Sequence, residues 1–313
     1  MRAYVLPVEG AQPILTELTA PEPEADEVLV RVHASSVNPH DLVVSSGAAA
    51  RYMTYRFPVV LGSDLAGVVE SVGADVVDLS PGDRVFGLVR ELIAARGSFA
   101  EKVAVPREWV HPTPSSVSNS EAGVFGLAAL TAVRCVEAID PAAADVVFVN
   151  GAAGGAGSYV LQMLAARGVT TVVTARAGEQ TDHVRKLGAD GVVDWTVGNL
   201  AEQVRQLHHD GVNAIIDLVS RNRAVLGNIA DGIIVPGGRV ASTGHAADPG
   251  QPGSYNLQVT VDQTALSTIA DLAGQGLLRA PISRTFDLGA IDQAFSQLSN
   301  EVFGKIAVRI LDD

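Results

Sequence analysis

The rhythm of apolar and polar positions changes along this chain, and the change divides it. Up to about residue 119 the apolar residues come in short runs: EVLVRVHASSV (27–37), LAGVVESVG (65–73), DRVFGLV (83–89) and SFAEKVAVP (98–106). Gly, Pro and Asp separate them, as in Pro81-Gly82-Asp83. Val-rich runs of this length between turn residues predict the strands of a small β-rich unit. At Ser120 the spacing becomes helical. EAGVFGLAALTAVRCVEA (121–138) follows a Ser/Glu start signal and stops before Asp140-Pro141, which predicts one helix crossing the boundary.

From Asp145 onward strand and helix signals alternate. DVVFVN, TTVVTA, GVVDW, NAIIDLV and GRVASTG read as strands; GAAGGAGSYVLQMLAARG, TDHVRKLGAD, NLAEQVRQLHHD and RNRAVLGNIADG read as the intervening turns and helices. Near-continuous Val/Ile/Ala strands joined by helices predict a parallel sheet covered on both faces, an α/β architecture. The last stretch, PISRTFDLGAIDQAFSQLSN followed by GKIAVRIL, reads as strand, helix, strand, and the pattern alone joins it to either unit.

Composition narrows the function. The chain is 47 % hydrophobic and 18 % charged over 313 residues, enough to build a core in each of two domains. The net charge of −13, with no run of Lys or Arg, argues against nucleic acid as a partner. Cys135 stands alone, so neither an internal disulfide nor a cysteine-rich zinc site is available. MRAYVLPVEGAQP lacks the apolar core of a secretory signal, and no run approaches eighteen apolar residues; a cytoplasmic protein with no membrane span is expected.

Chemistry enters at Val146–Gly157, where a strand, a small-residue turn and a helix start follow in order. A pyrophosphate approaches backbone N–H groups at a helix N-terminus only if side chains there are tiny or absent. In the G-x-G-x-x-G register the first position is Ala152, a departure, with Gly154 and Gly157 second and third. The plainer reading is a turn whose small residues serve helix–sheet packing alone; the following βα alternation favours the dinucleotide site. An NAD site usually places an acid about 20 residues on, to hold the ribose 2′-OH. Here Thr174, Ala175 and Arg176 occupy that stretch and no acid precedes Glu179, which favours NADPH, unless Arg176 is one more solvated arginine. His183 and Arg185 are weaker candidates for the same phosphate.

Several spaced blocks then match one pattern. SVNPHD (36–41), LGSDLAGVVESVG (61–73), GDRVFG (82–87), GSFAEKVAVP (97–106), LTA (130–132), GAAGGAG (151–157), KLGAD (186–190) and GKIAVRI (304–310) resemble the medium-chain dehydrogenase/reductase superfamily, and within it the zinc-free quinone oxidoreductase (zeta-crystallin-like) branch. The resemblance implies a GroES-like β-rich domain (1–119 and 280–313) and a Rossmann doubly wound domain (120–279), with the cofactor in the cleft between them. Zinc-dependent members carry Cys where this chain has Asn38, and a His-Glu pair where it has Ser63-Asp64. No metal is therefore expected; a substitute set of His33, His40 and Asp64 is conceivable, but scattered histidines are more often structural.

By the same resemblance Asn38 and Asp41 sit at the nicotinamide end, Thr131 meets the nicotinamide ribose or amide, and Gly154, Gly155, Ala156 and Gly157 cradle the pyrophosphate. Val219, Ser220, Gly244 and Lys305 are further implied cofactor neighbours. Each has a second reading: Asn38 before Pro39 suits a helix cap, Asp41 a helix-dipole partner, and Thr131 a back-bond within its helix. Tyr52 is the candidate proton donor or substrate contact, with rim packing as its alternative and solvent as an equal proton source. The loops GAAARYMTYR (47–56) and RELIAARG (90–97) are expected to shape the acceptor pocket. The expected activity is hydride delivery from NADPH to a quinone or α,β-unsaturated carbonyl by a homodimer. A pathway-specific enoyl reductase, or a non-catalytic NADPH-binding structural protein, is the alternative.

Overall fold

A computed structural model describes residues 1–90, 93–298 and 303–312. The chain divides into two compact units. The first gathers Met1–Leu127, Thr260–Gly276 and Ile282–Asp313; the second comprises Ala128–Val259 and Leu277–Pro281.

The first unit is built on a seven-stranded sheet. Across it run Val110–Pro112, Arg84–Leu88, Asp64–Val72, Glu27–Val37, Lys305–Arg309 and Ile282–Asp287, with Lys102–Pro106 pairing the start of Glu27–Val37. Glu27–Val37 is buried along its length except at Arg31: its Val residues belong to one core, Ala34 lies against Gly123, and the Ser35 and Ser36 hydroxyls donate to Asp64. Gly67 allows the closest crossing of that strand: a Cβ there would sit 2.0 Å from the Arg31 carbonyl oxygen. The last strand, Lys305–Arg309, pairs antiparallel with Ala34–Val37. A second sheet of Ile14–Glu17, Arg2–Leu6 and Val59–Val60 closes the same core of Val, Leu and Ile, together with Phe99 and Phe295.

The second unit is a six-stranded parallel sheet in the order Gly191–Val193, Thr170–Thr174, Val146–Asn150, Val212–Asp217, Ile234–Ser242, Ser254–Asn256. Numbered along the chain this is 3-2-1-4-5-6, the doubly wound order, whose switch point lies at the C-terminal end of Val146–Asn150. Helices Gly155–Ala166, Glu179–Lys186, Leu200–Leu207 and Arg223–Ile233 connect successive strands.

Three expectations change. The helix read over 121–138 is two, Asn119–Ala122 and Gly126–Ile139. Between them the chain is drawn in: Gly123 lies against Ala34, a Cβ on Gly126 would meet Asp64 Oδ1 at 2.3 Å, and the Leu127 N–H donates to that oxygen at 2.6 Å. The helix Gln263–Gly274, unread in the sequence, belongs to the first unit, not to the span 120–279. Its Gln263 side chain donates to the Glu108 and Val110 carbonyls. Consequently the units divide at 127/128 and not at 119/120. Of the loop 90–97, Glu91 and Leu92 lie outside the described residues; Ile93–Ala94 pairs with Thr54–Tyr55. Among the described residues no helix is long and apolar enough to cross a membrane.

Candidate active site

The turn after Val146–Asn150 assigns different work to its glycines. Gly151 takes φ +90°, the left-handed conformation that opens the tight turn, so the role expected of position 152 falls one residue earlier. Ala152 is buried. A Cβ on Gly157 would lie 2.4 Å from the Gly151 oxygen and 2.5 Å from the Ala152 Cα, so this glycine permits close helix packing. Gly154 differs: a Cβ there meets only the Gly151 oxygen, at an ordinary 3.6 Å. The fold itself makes no demand for glycine at 154, and the space it leaves open is a cradle for a ligand. The helix Gly155–Ala166 starts with no side-chain cap, leaving the first-turn amides of Gly155, Ala156 and Gly157 directed at that space. These features fit a dinucleotide pyrophosphate.

Beneath the turn a polar network missed by the sequence reading fixes three strand ends. The Gly151 N–H donates to Thr174 Oγ1 (2.8 Å), Thr174 Oγ1 donates to Asn150 Oδ1 (3.2 Å), and Asn150 Nδ2 donates to Asp217 Oδ1 (2.7 Å). Asp217, fully buried, also accepts the Ser220 N–H and hydroxyl. Thr174 therefore supports the turn from below, and Ala175 is buried beside it. Polar residues closing three parallel strands were the sequence signal for this network.

Arg176, at the end of Thr170–Thr174, holds its guanidinium 4.7 Å from the centroid of the Trp195 ring. No acid lies between Thr174 and Glu179, and the acid that the neighbouring strand brings beside this segment is committed to donors of its own. Asp194, just past Gly191–Val193, accepts the Ala177 N–H (3.3 Å), and hydrogen bonds from Thr196 lead the causes that hold its carboxyl below the usual range. His183 Nε2 pairs with Ser158 Oγ at 2.8 Å, while Arg185 is exposed. Val219 is exposed and flanks the turn, 2.5 Å from where a Gly151 Cβ would be. Gly244 lies against Ser220, whose carbonyl oxygen would be 2.0 Å from an added Cβ. Thr131 is partly buried on the helix Gly126–Ile139.

In the first unit a buried polar cluster joins Asn38, Asp41, Ser63, Asp64 and Lys305. Lys305 Nζ donates to Asn38 Oδ1 (2.6 Å), Asp64 Oδ2 (3.2 Å) and the Val37 oxygen (3.5 Å). Asn38 Nδ2 donates to Asp64 Oδ2 (3.0 Å), and the Ser36 hydroxyl donates to the same oxygen. The ammonium is only 3 % exposed and the Asp64 carboxylate 0 %, so this is an ion pair out of contact with water. Lys305, implied as a cofactor neighbour, fixes the Asn38 amide: a donor at Oδ1 obliges Nδ2 to face the carboxylate. Asn38 is the N-cap residue of the helix Pro39–Ser45 and forms a capping box with Asp41, whose carboxylate accepts the Asn38 N–H (2.7 Å) and the Ser63 hydroxyl (2.8 Å). Burial, then the nearby Asp64 charge, pushes the Asp41 carboxyl up to about 7.

Zinc does not fit here. An amide, a hydroxyl and one carboxylate already balanced by an ammonium offer a dication a poor donor set and a like charge. His33, His40 and Asp64 do not gather into a metal-holding group among the described residues. His40 instead lines a small pocket with Asp41, Val44, Met53 and Arg90. Tyr52 stands apart from that lining, half exposed, with the Arg51 guanidinium 5.8 Å from its ring centroid.

Comparison with known proteins agrees with this geometry. Residues 24–115 match the alcohol dehydrogenase GroES-like domain and residues 155–274 the zinc-binding dehydrogenase family. The chain belongs to the medium-chain dehydrogenase/reductase superfamily, in its zinc-free, quinone oxidoreductase-like branch, and has the GroES-like plus Rossmann-type fold of that group. It is 29 % identical to mouse quinone oxidoreductase over 73 % of this chain and 68 % of the relative. It is 29 % identical to the chloroplastic NADPH-dependent alkenal/one oxidoreductase of Arabidopsis thaliana over 98 % and 79 %. Identity to the mouse mitochondrial NAD(P)H oxidoreductase RTN4IP1 is 34 %, over 58 % of this chain and 50 % of that relative, so the chain spans about half that protein's length. A crystal structure described as an NAD-dependent alcohol dehydrogenase superposes with a TM-score of 0.89 at 25 % identity, covering 99 % of this chain and 100 % of that one.

Proposed function

We propose that this protein is a zinc-independent reductase that uses NADPH to reduce a quinone or an α,β-unsaturated carbonyl. The observation that carries the reading is the Asn38–Asp64–Lys305 cluster. Where zinc-dependent relatives assemble metal ligands, this chain holds its own buried cation, so an alkoxide would find no Lewis acid and alcohol oxidation is disfavoured.

When bound, NADPH supplies a hydride, two electrons and one proton's mass, to the β-carbon of an enone or to a quinone carbonyl, and one further proton completes the product. The amides of Gly155, Ala156 and Gly157, with the open space at Gly154, hold the pyrophosphate. Arg176, stiffened on Trp195, takes the 2′-phosphate. Asn38, oriented by Lys305, and Thr131 are assigned to the nicotinamide end. Asp41, whose carboxyl retains a proton near neutrality, and Tyr52 are the groups from which the added proton is drawn, with solvent as the alternative. The named substrates of the alkenal/one oxidoreductase and quinone oxidoreductase relatives support this choice of acceptor. A cytoplasmic homodimer is proposed with it, on the resemblance alone; light scattering and cell fractionation test those two points.

The test is NADPH consumption with a panel of quinones, enones, aldehydes and alcohols, all in chelator. Turnover of quinones or enones is expected. Activity confined to alcohols, and only with added zinc, refutes the proposal. Exchanging NADPH for NADH should weaken binding by about tenfold or more, and Arg176→Ala should erase that preference.

A further inference from the structure

The pocket lined by His40, Asp41, Val44, Met53 and Arg90 has a volume of about 40 Å³, close to the ~30 Å³ share of one water and the size of a small substituent. Its charges are unequal. Arg96, on the same wall, is committed to Glu27 and to the Ala104 carbonyl. Asp41 is held by the Ser63 hydroxyl and the Asn38 N–H. His40 is kept neutral, first by burial and then by the positive charge of Arg90, which together lower it to about 4. Arg90 itself, partly buried, makes no hydrogen bond and no ion pair among the described residues. Burial opposes its charge.

A guanidinium taken partly out of water with no hydrogen-bonded carboxylate among the described residues costs free energy, and a fold tolerates that where a ligand completes the pair. Its planar fork matches a carboxylate or sulfonate with two parallel N–H···O bonds.

We infer that Arg90 is a specificity residue for an acceptor bearing an anionic substituent, a carboxylate in the first instance, seated in the pocket walled by His40, Val44 and Met53. The inference rests on the reductase reading for its role in catalysis, but not for the binding of the anion. The substrate class it selects is a 4-oxo-2-alkenoic acid or a carboxylated quinone, in preference to the neutral compound.

The experiment compares one acceptor in two charge states, 4-oxo-4-phenyl-2-butenoate and its methyl ester, with the wild-type, Arg90→Met and Arg90→Lys proteins. The wild type is expected to prefer the acid in kcat/KM by tenfold or more. In Arg90→Met the KM for the acid should rise by about tenfold to a hundredfold, the range of a charge-assisted hydrogen-bonded pair, with the ester changed less than about twofold. Arg90→Lys should fall between them. Equal use of acid and ester by the wild type, or equal loss of both in Arg90→Met, overturns the inference. If neither compound is reduced, the reductase reading fails separately, and calorimetry with the saturated acid 4-oxo-4-phenylbutanoate still decides the subsite. Weaker binding by Arg90→Met supports it; equal binding refutes it.

Discussion

Replacing Lys305 by Met removes the cation of the buried cluster and little of its volume. The ammonium gives up hydrogen bonds to Asn38 Oδ1 and Asp64 Oδ2, and Asp64, at 0 % exposure, loses its counterion. Breaking a buried pair by removing one partner costs about 3–5 kcal/mol. The Asp64 carboxylate retains the Leu127 N–H, the Ser36 hydroxyl and Asn38 Nδ2, which places the expected loss near the lower end, about 3 kcal/mol. At roughly 2–4 °C per kcal/mol the melting temperature should fall by about 6–12 °C, read by circular dichroism. The double variant Lys305→Met/Asp64→Asn carries no stranded charge and should melt above the single variant, with an interaction energy of about 1–3 kcal/mol. A single variant melting within 2 °C of wild type, or a double variant no better than the single, would show that the pair does not matter as argued.

Gly154→Ala should leave stability within about 0.5 kcal/mol of wild type and weaken NADPH at least tenfold by calorimetry, because the added methyl meets the ligand and not the fold. Gly157→Ala should do the reverse first, destabilising by about 1–3 kcal/mol through collision with the Gly151 and Ala152 backbone. Asp41 and His40 predict opposing pH slopes. The native state holds an extra proton on Asp41 between its ordinary value of 3.8 and about 7, so that group's contribution to stability falls as pH rises; it lacks one on His40 between about 4 and 6.5, so that contribution rises. Against wild type, Asp41→Asn should therefore gain stability with rising pH and His40→Asn lose it, each approaching 1.4 kcal/mol per pH unit at most; parallel profiles in urea titrations would refute both. Cys135, buried and with its thiol pushed up to about 12, should resist thiol reagents until the protein unfolds.

The sheet of the second unit was legible because its strands, such as Val146–Asn150 and Val212–Asp217, are near-continuous apolar runs that only a doubly covered parallel sheet accommodates. The phosphate turn was legible for the same local reason, although the positive φ that opens it sits at Gly151, one residue before the register suggested. What pattern could not carry was long-range pairing of polar groups. Lys305 reads as a strand residue in GKIAVRI, and nothing local says that its side chain meets Asn38 and Asp64, 267 and 241 residues away. Asp194 escaped notice because adjacency in a parallel sheet, not in sequence, brings it to Ala177. The break at Gly123–Phe125 was invisible too: an unbroken helical spacing says nothing of a carboxylate on another strand capturing the Leu127 amide.

The route of the backbone through the first unit has a consequence for biosynthesis. Synthesis proceeds from the N-terminus, so Glu27–Val37 and Asp64–Val72 emerge long before Lys305–Arg309, the strand that completes their edge and neutralises Asp64. Until then a nascent polypeptide carries an unanswered carboxylate and an open sheet margin. A product ending before Lys305 would keep the turn from Gly151 to Gly157 whole and leave the Asn38–Asp64 cluster without its cation.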